Sequence, residues 1–211
     1  MTELVFILER SGSMSGMEED VIGGFNSMIE KQKKEKGEAY VTTVTFNMNS
    51  ETIHDRIPIN DVGPLSGKDY YPCGSTALLD TVGYTIKHIE SIHRYIRKED
   101  RPDNVIFVIT TDGLENSSQK YSYQDVKKMI SNCKKKDWEF IFLGANIDAV
   151  KEARNFGIGE EWAVNYVNDK KGISIVYDSL DSSIRSVRRN GHLSEDWKME
   201  IEEDFKTRKG Q

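Results

Sequence analysis

The sequence predicts an α/β fold, a central and mostly parallel sheet with helices on both faces. Three observations carry this. Strand-like apolar runs alternate with helical patterns along the chain, the order from which strand–helix–strand units build a parallel sheet. Two runs, LVFIL at Leu4–Leu8 and NVIFVITT at Asn104–Thr111, are nearly continuous in apolar residues, as central strands covered on both sides must be. A further pair, VTTVTF and ETIHDRI, flanks the short polar turn NMNS, which predicts a hairpin and one antiparallel edge strand.

The elements follow in order. Glu3–Leu8 is the first strand, and Val21, Ile22, Phe25, Met28 and Ile29 then recur at three- and four-residue spacing, predicting a helix. The hairpin strands are Tyr40–Phe46 and Thr52–Ile59. Leu78, Leu79, Val82, Ile86, Ile89 and Ile96 mark a long helix, Asn104–Thr110 the next strand, and Val126, Met129, Ile130 and Cys133 another helix. Trp138–Leu143 is a strand, Ile147–Phe156 a short helix ended by Gly157, and Trp162–Tyr166 a weak strand. The stripe Ile173, Val176, Tyr177, Leu180, Ile184 and Val187 predicts a last amphipathic helix, and each such stripe is most simply core packing. Residues 1–190 are thus expected to form one domain. The charge-rich segment 191–211, with Trp197, Ile201 and Phe205 four residues apart, is either a final docked helix of that domain or a frayed end.

Composition narrows the function classes. The 211 residues, 37% of them hydrophobic, suffice for one sizeable core. With 29 basic against 35 acidic residues the net charge is -6 and the basic runs are short, which argues against nucleic acid. Two cysteines far apart, Cys73 and Cys133, suggest neither a disulfide framework nor a paired-cysteine zinc site. The N-terminus lacks a basic leader, and no stretch approaches the ~20 apolar residues that span a bilayer, so the expectation is a cytoplasmic protein with no membrane partner.

Parallel sheets place ligands at the carboxyl ends of their strands, near a topological switch point. Three segments fall on that rim: ERSGS (Glu9, Ser11, Ser13), GSTALLD (Ser75, Thr76, Asp80) and TTDGLENSS (Thr111, Asp112, Glu115, Asn116). Carboxylates and neutral hydroxyls are hard oxygen ligands suited to magnesium, calcium or manganese. Glu9 and Asp112 together would balance a divalent charge. Taken singly, ERSGS reads as a strand end and turn, Thr76 as a helix cap and Asp112-Gly113 as a turn pair; their conjunction favours a metal site.

The serial order of carboxylate-x-Ser-x-Ser after the first strand, threonine before a long helix, and Thr-Asp-Gly after a later apolar strand resembles a von Willebrand factor type A (vWA) domain. RSGSMSGMEEDVIGGFNSMIEKQ, GSTALLDTVG and VITTDGLENSS look similar to bacterial, single-domain members, and the resemblance covers nearly the whole chain. It implies a Rossmann-like sandwich and a metal-ion-dependent adhesion site. In that pattern Ser11, Ser13 and Thr76 are hydroxyl ligands, and Asp112 is a carboxylate acting directly or through water. Glu9 stands where the family has aspartate; its extra methylene either lets it bind the ion directly or crowds the ion out. The implied function is a non-enzymatic interaction module, binding an acidic group of a partner protein through Mg or Mn.

Two other readings stay open at this stage. A magnesium-dependent hydrolase or phosphoryl-transfer enzyme would use similar groups, although a glycine-rich phosphate loop ending in Lys-Ser/Thr is missing. A structural domain with a degenerate metal site is the other. Asp80 is either a support for Thr76 or a first-turn acid, Glu115 and Asn116 are rim or solvated loop residues, and Tyr70 and Tyr71 offer either rim contact area or loop packing. Cys73 reads as a plain loop cysteine.

Overall fold

The first strand, β1 (Thr2–Glu9), is buried at all eight positions because both of its faces are covered. Leu4, Phe6 and Leu8 point into one apolar cluster and Val5 and Ile7 into another, the two-residue alternation of a pleated strand. The computed structural model describes residues 1–194 and 196–209. β2 (Ala39–Phe46), β3 (Ser50–Pro58), β4 (Asn104–Thr111), β5 (Trp138–Gly144) and β6 (Ala163–Asn165) complete a six-stranded sheet in the order β3-β2-β1-β4-β5-β6. β3 alone among these strands runs antiparallel, at the edge, as the NMNS hairpin predicts.

The helices are α1 (Glu18–Gln32), α2 (Leu78–Tyr95), α3 (Tyr123–Lys134), α4 (Ala149–Phe156), α5 (Lys170–Asn190) and α6 (Met199–Lys209). Phe25, Met28 and Ile29 of α1 and Ile173, Leu180 and Ile184 of α5 cover one face of the sheet. Leu78, Val82 and Ile86 of α2, Val126 and Ile130 of α3, and Ala153 and Phe156 of α4 cover the other. Full burial of a phenylalanine such as Phe6 or Phe107 contributes about 1.5–3 kcal/mol, so the two layers rather than helix propensity hold the sandwich. α4 ends at Gly157, whose φ of 78° is the left-handed C-terminal conformation.

The segment after Gly191 carries α6, which packs on α5 and β6 with Trp197 and Ile201 buried. Glu195, Gly210 and Gln211 of the predicted segment 191–211 lie outside the described residues. α5 is capped by Asp169, which accepts from the Gly172 amide at 2.8 Å. A Cβ on Gly172 would come within 1.9 Å of the Val167 carbonyl oxygen, so only glycine fits there. No helix among the described residues is long and apolar enough to cross a membrane.

Candidate metal centre

β1 and β4 are neighbours in parallel register, Leu8 opposite Thr110, so their carboxyl ends finish side by side. β1 also pairs with β2 on its other side, and this is where the direction of strand addition reverses. Glu9 ends β1, and Thr111 ends β4 with Asp112 next in the chain. The three predicted segments therefore meet at one point of the rim.

Glu9 is 2% exposed, a burial a carboxylate tolerates only when its oxygens are occupied. Its Oε1 accepts from the Thr76 hydroxyl at 2.6 Å. Its Oε2 accepts from the Asp112 amide at 2.9 Å and from the Thr111 hydroxyl. The Tyr70 hydroxyl donates to the Glu9 carbonyl oxygen at 2.6 Å, and Tyr70 is buried, which assigns this ring to packing. Tyr71 beside it is exposed.

Asp112 forms the second half. Ser13 donates to Asp112 Oδ1 at 2.6 Å, and Ser11 and Ser13 are joined at 2.8 Å. A hydroxyl has one proton, so with Ser13 donating to Asp112, Ser11 is the donor in the serine pair. Asn168, in the loop before α5, donates to Asp112 Oδ2 at 3.3 Å. Burial, with the Glu9 charge adding and the Ser13 hydrogen bond opposing, pushes the Asp112 carboxyl up to about 6.

The loops are fixed to each other through their backbones. The Gly12 amide donates to the Gly74 carbonyl at 3.1 Å, and Ala77 to Asn47 at 2.8 Å. Gly74 holds a φ of 74°, open to glycine and costly for other residues. Thr76 and Asn116 exchange two bonds, the Thr76 amide to Asn116 Oδ1 at 2.9 Å and the Asn116 amide to the Thr76 carbonyl at 3.0 Å. Thr76 does not cap α2 with its side chain; that hydroxyl is committed to Glu9.

Asp80 sits in the first turn of α2, one of its two sequence readings, and both it and Glu115 also accept backbone amides. Asp80 accepts the amides of Gln119, Lys120 and Tyr121 at 2.8–2.9 Å, anchoring the loop that follows Asp112. Glu115 accepts the Leu79 amide at 2.8 Å, so it caps α2 from outside that helix. Cys73 is a free thiol accepting from Asn47 Nδ2 at 3.2 Å.

Sequence reasoning missed three contributors. Thr111, inside TTDGLENSS, holds Glu9, a task its place in that segment does not announce. Arg10 is 3% exposed; its guanidinium donates to Glu51 at 2.8 Å and the Asp69 carbonyl at 3.2 Å, and lies 4.2 Å from the Tyr71 ring centre. Asn168, 56 residues from Asp112, carries no local signal.

The donor chemistry fits a hard cation. With Thr76 and Ser13 donating their protons to Glu9 and Asp112, the hydroxyl oxygens keep lone pairs for another partner. Among the described residues no three His, Cys, Asp or Glu side chains converge to hold an ion, so hydroxyls must supply much of any ligand set here. Such an all-oxygen set suits magnesium, manganese or calcium better than a soft metal.

No family model and no curated protein matches the chain. Solved structures do. The vWF domain of the type V pili tip protein Mfa5 from Porphyromonas gingivalis superposes with a TM-score of 0.61 at 9% identity, covering 92% of this chain and 98% of that one. Proximal thread matrix protein 1 from the mussel byssus, described with a "zinc occupied MIDAS motif", gives 0.58 at 14% identity over 87% of this chain. A von Willebrand factor type A protein from Catenulispora acidiphila gives 0.55 at 13% identity over 88%. The chain spans less than half the length of the last two, 46% and 42%. The fold is vWA-like: a six-stranded mixed sheet with helices on both faces.

Proposed function

We propose that this protein is a non-enzymatic, divalent-cation-dependent interaction module that captures an acidic side chain of a protein partner. Ser11, Ser13 and Thr76 would hold the cation through their hydroxyls, Asp112 would act directly or through water, and Glu9 would fix Thr76 from behind. The observation that carries this reading is the pairing of Thr76 with Glu9 and of Ser13 with Asp112, which turns hydroxyl protons toward carboxylates and leaves oxygen lone pairs available. When bound, a magnesium or manganese ion supplies open coordination positions that a carboxylate can fill. The zinc described in the mussel protein's adhesion motif supports a cation on this scaffold. The two unbridged cysteines support a reducing, cytoplasmic setting.

Calorimetric titration of Mg²⁺ and Mn²⁺ tests the reading. The parent protein should bind one ion, with Thr76→Ala and Asp112→Ala weaker by at least about tenfold, the loss of one charge-assisted contact. A parent that binds neither ion sinks it. Turnover of phosphate esters that disappears in the same two variants would replace it with the hydrolase reading.

A further inference from the structure

A concentration of positive charge lies at the end of the sheet opposite the hydroxyl cluster. The last turn of α2, the loop before β4 and the turn between α3 and β5 meet there around a cavity of about 430 Å³, with Trp138, the first residue of β5, in its wall. That volume falls within the ~300–1,000 Å³ of small-molecule sites.

The charge of this cavity is at odds with that of the chain. The protein carries a net charge of -6, yet three cations, Arg94, Arg101 and Lys136, line the cavity against one carboxylate, Glu90. Glu90 and Lys136 are joined at 2.6 Å and offset each other. Arg94 and Arg101 are exposed, and neither guanidinium forms an ion pair or a hydrogen bond among the described residues. Neighbouring acids have cations of their own. Buried Glu3 is shared by His93 at 2.6 Å and Arg56 at 3.5 Å, Asp103 holds the Met1 amino group at 2.6 Å, and Glu99 and Asp100 pair with Arg97. Asp137, next to Lys136 in the chain, does not line the cavity. A cation in the last turn of α2 suits the helix dipole, which accounts for Arg94 but not for Arg101, outside that helix.

We infer that this cavity binds a small phosphate monoester as its dianion, with Arg94 and Arg101 on the phosphate and the body of the ester against Pro102 and Trp138. Two guanidiniums offer more N–H donors than one carboxylate accepts, and two unbalanced positive charges call for two negative ones. A phosphate monoester supplies both, with three acceptor oxygens and nearly full double charge above its second pKa of about 6. Arginine forks match those oxygens in pairs, and a cleft lined by one sign of charge concentrates the field on an entering anion. The volume leaves room beyond a phosphate group for the rest of the ester. This site is separate from the metal centre and does not rest on the cation-dependent reading.

The test is calorimetric titration of the intact, metal-free protein at pH 8 in low salt, with adenosine 5′-monophosphate, adenosine, inorganic phosphate and a phosphoserine peptide as probes. The monophosphate should bind one to one, at least about tenfold tighter than adenosine or inorganic phosphate. Arg94→Gln and Arg101→Gln, both exposed and unpaired positions, should each weaken it about tenfold and leave magnesium affinity unchanged. Lys120→Gln, which removes one positive charge at the other end of the molecule, should leave it unchanged. Monophosphate affinity that survives both arginine variants, or that Lys120→Gln lowers equally, overturns the site. Equal affinity for adenosine overturns the role of the phosphate, and equal affinity for inorganic phosphate overturns that of the ester body. Binding of the phosphoserine peptide without the monophosphate overturns the small-molecule occupant, and binding of none of the four probes overturns the proposal entirely.

Discussion

The Thr76 hydroxyl donates to Glu9 Oε1 across 2.6 Å, tying the loop before α2 to the end of β1. The other oxygen of the same carboxylate accepts from Thr111 and from the Asp112 amide, at the end of β4. One side chain thus joins two loops, and separating them would leave a buried carboxylate with unpaired oxygens. An aspartate would end ~1.5 Å nearer the β1 backbone and lose part of this reach.

Glu9→Asp should therefore lower the stability of the cation-free protein by about 1–3 kcal/mol, read as a shifted urea midpoint in EDTA. The space released admits water between the carboxylate and the hydroxyls. With the carboxylate withdrawn, a bound ion keeps more of its attraction for an acidic partner, so partner capture should strengthen. Equal magnesium affinity and equal capture in parent and variant would mean that the length of residue 9 has no bearing on binding.

Thr111→Val separates stability from ligation. It removes one donor to Glu9 Oε2 while leaving every proposed cation ligand in place. The expected result is a loss of about 1–2 kcal/mol in EDTA with magnesium affinity within about threefold of the parent. Thr76→Ala should show the opposite balance, its main loss being affinity. An affinity loss in Thr111→Val as large as that of Thr76→Ala would show that the two hydroxyls do the same job.

Arg10 clamps three pieces of chain. Its amide donates to the Phe46 carbonyl at 2.6 Å, its carbonyl accepts the Cys73 amide at 3.0 Å, and its guanidinium reaches Asp69 and Glu51. Because Glu51 is half exposed, water can replace the lost cation there, so Arg10→Met should cost only about 1–3 kcal/mol, mostly through the part-buried Asp69 bond and the stacking on Tyr71. Loosening of the 69–76 loop should weaken magnesium binding as well. An Arg10→Met protein with parental urea midpoint and affinity would remove the clamp from the account.

The layers were legible because the apolar period is unambiguous where both faces of a strand are covered. Leu4–Leu8 and Asn104–Thr111 read as central strands for the reason that they are buried, and NMNS marked the antiparallel edge. β6 was weak in the sequence because only three residues pair. Glu9, Ser11, Ser13, Thr76 and Asp112 were legible as a serial pattern, and the fold brings them together. What holds them there was not. Arg10 looks like an exposed charge until Asp69, Glu51 and Tyr71 surround it, and Asn168 reaches Asp112 from the loop after β6 with no pattern to announce it. Asp80 and Glu115 hide their work for a related reason: they accept backbone amides, Asp80 those of Gln119, Lys120 and Tyr121 and Glu115 those of Leu79, Ser117 and Ser118, which no side-chain pattern encodes.

The Asp112 carboxyl, raised to about 6 from an ordinary 3.8, gives a pH dependence whose sign follows from proton counting. Between those two values the cation-free folded protein keeps a proton that the unfolded chain has released. This group's contribution to stability therefore falls as pH rises from about 4 to about 6 and is level above that. At ~1.4 kcal/mol per unit the full effect is on the order of 3 kcal/mol, and Asp112→Asn, which does not titrate, isolates it from all other groups. A bound cation reverses the slope, since it requires the ionised carboxylate: magnesium affinity should fall by up to about tenfold per pH unit below 6 and stay constant above. Urea titrations in EDTA and calorimetry in magnesium, each from pH 4.5 to 8, read the two slopes. If the stability difference between parent and Asp112→Asn does not change across pH 4.5 to 6.5, the carboxyl is not raised in the folded protein.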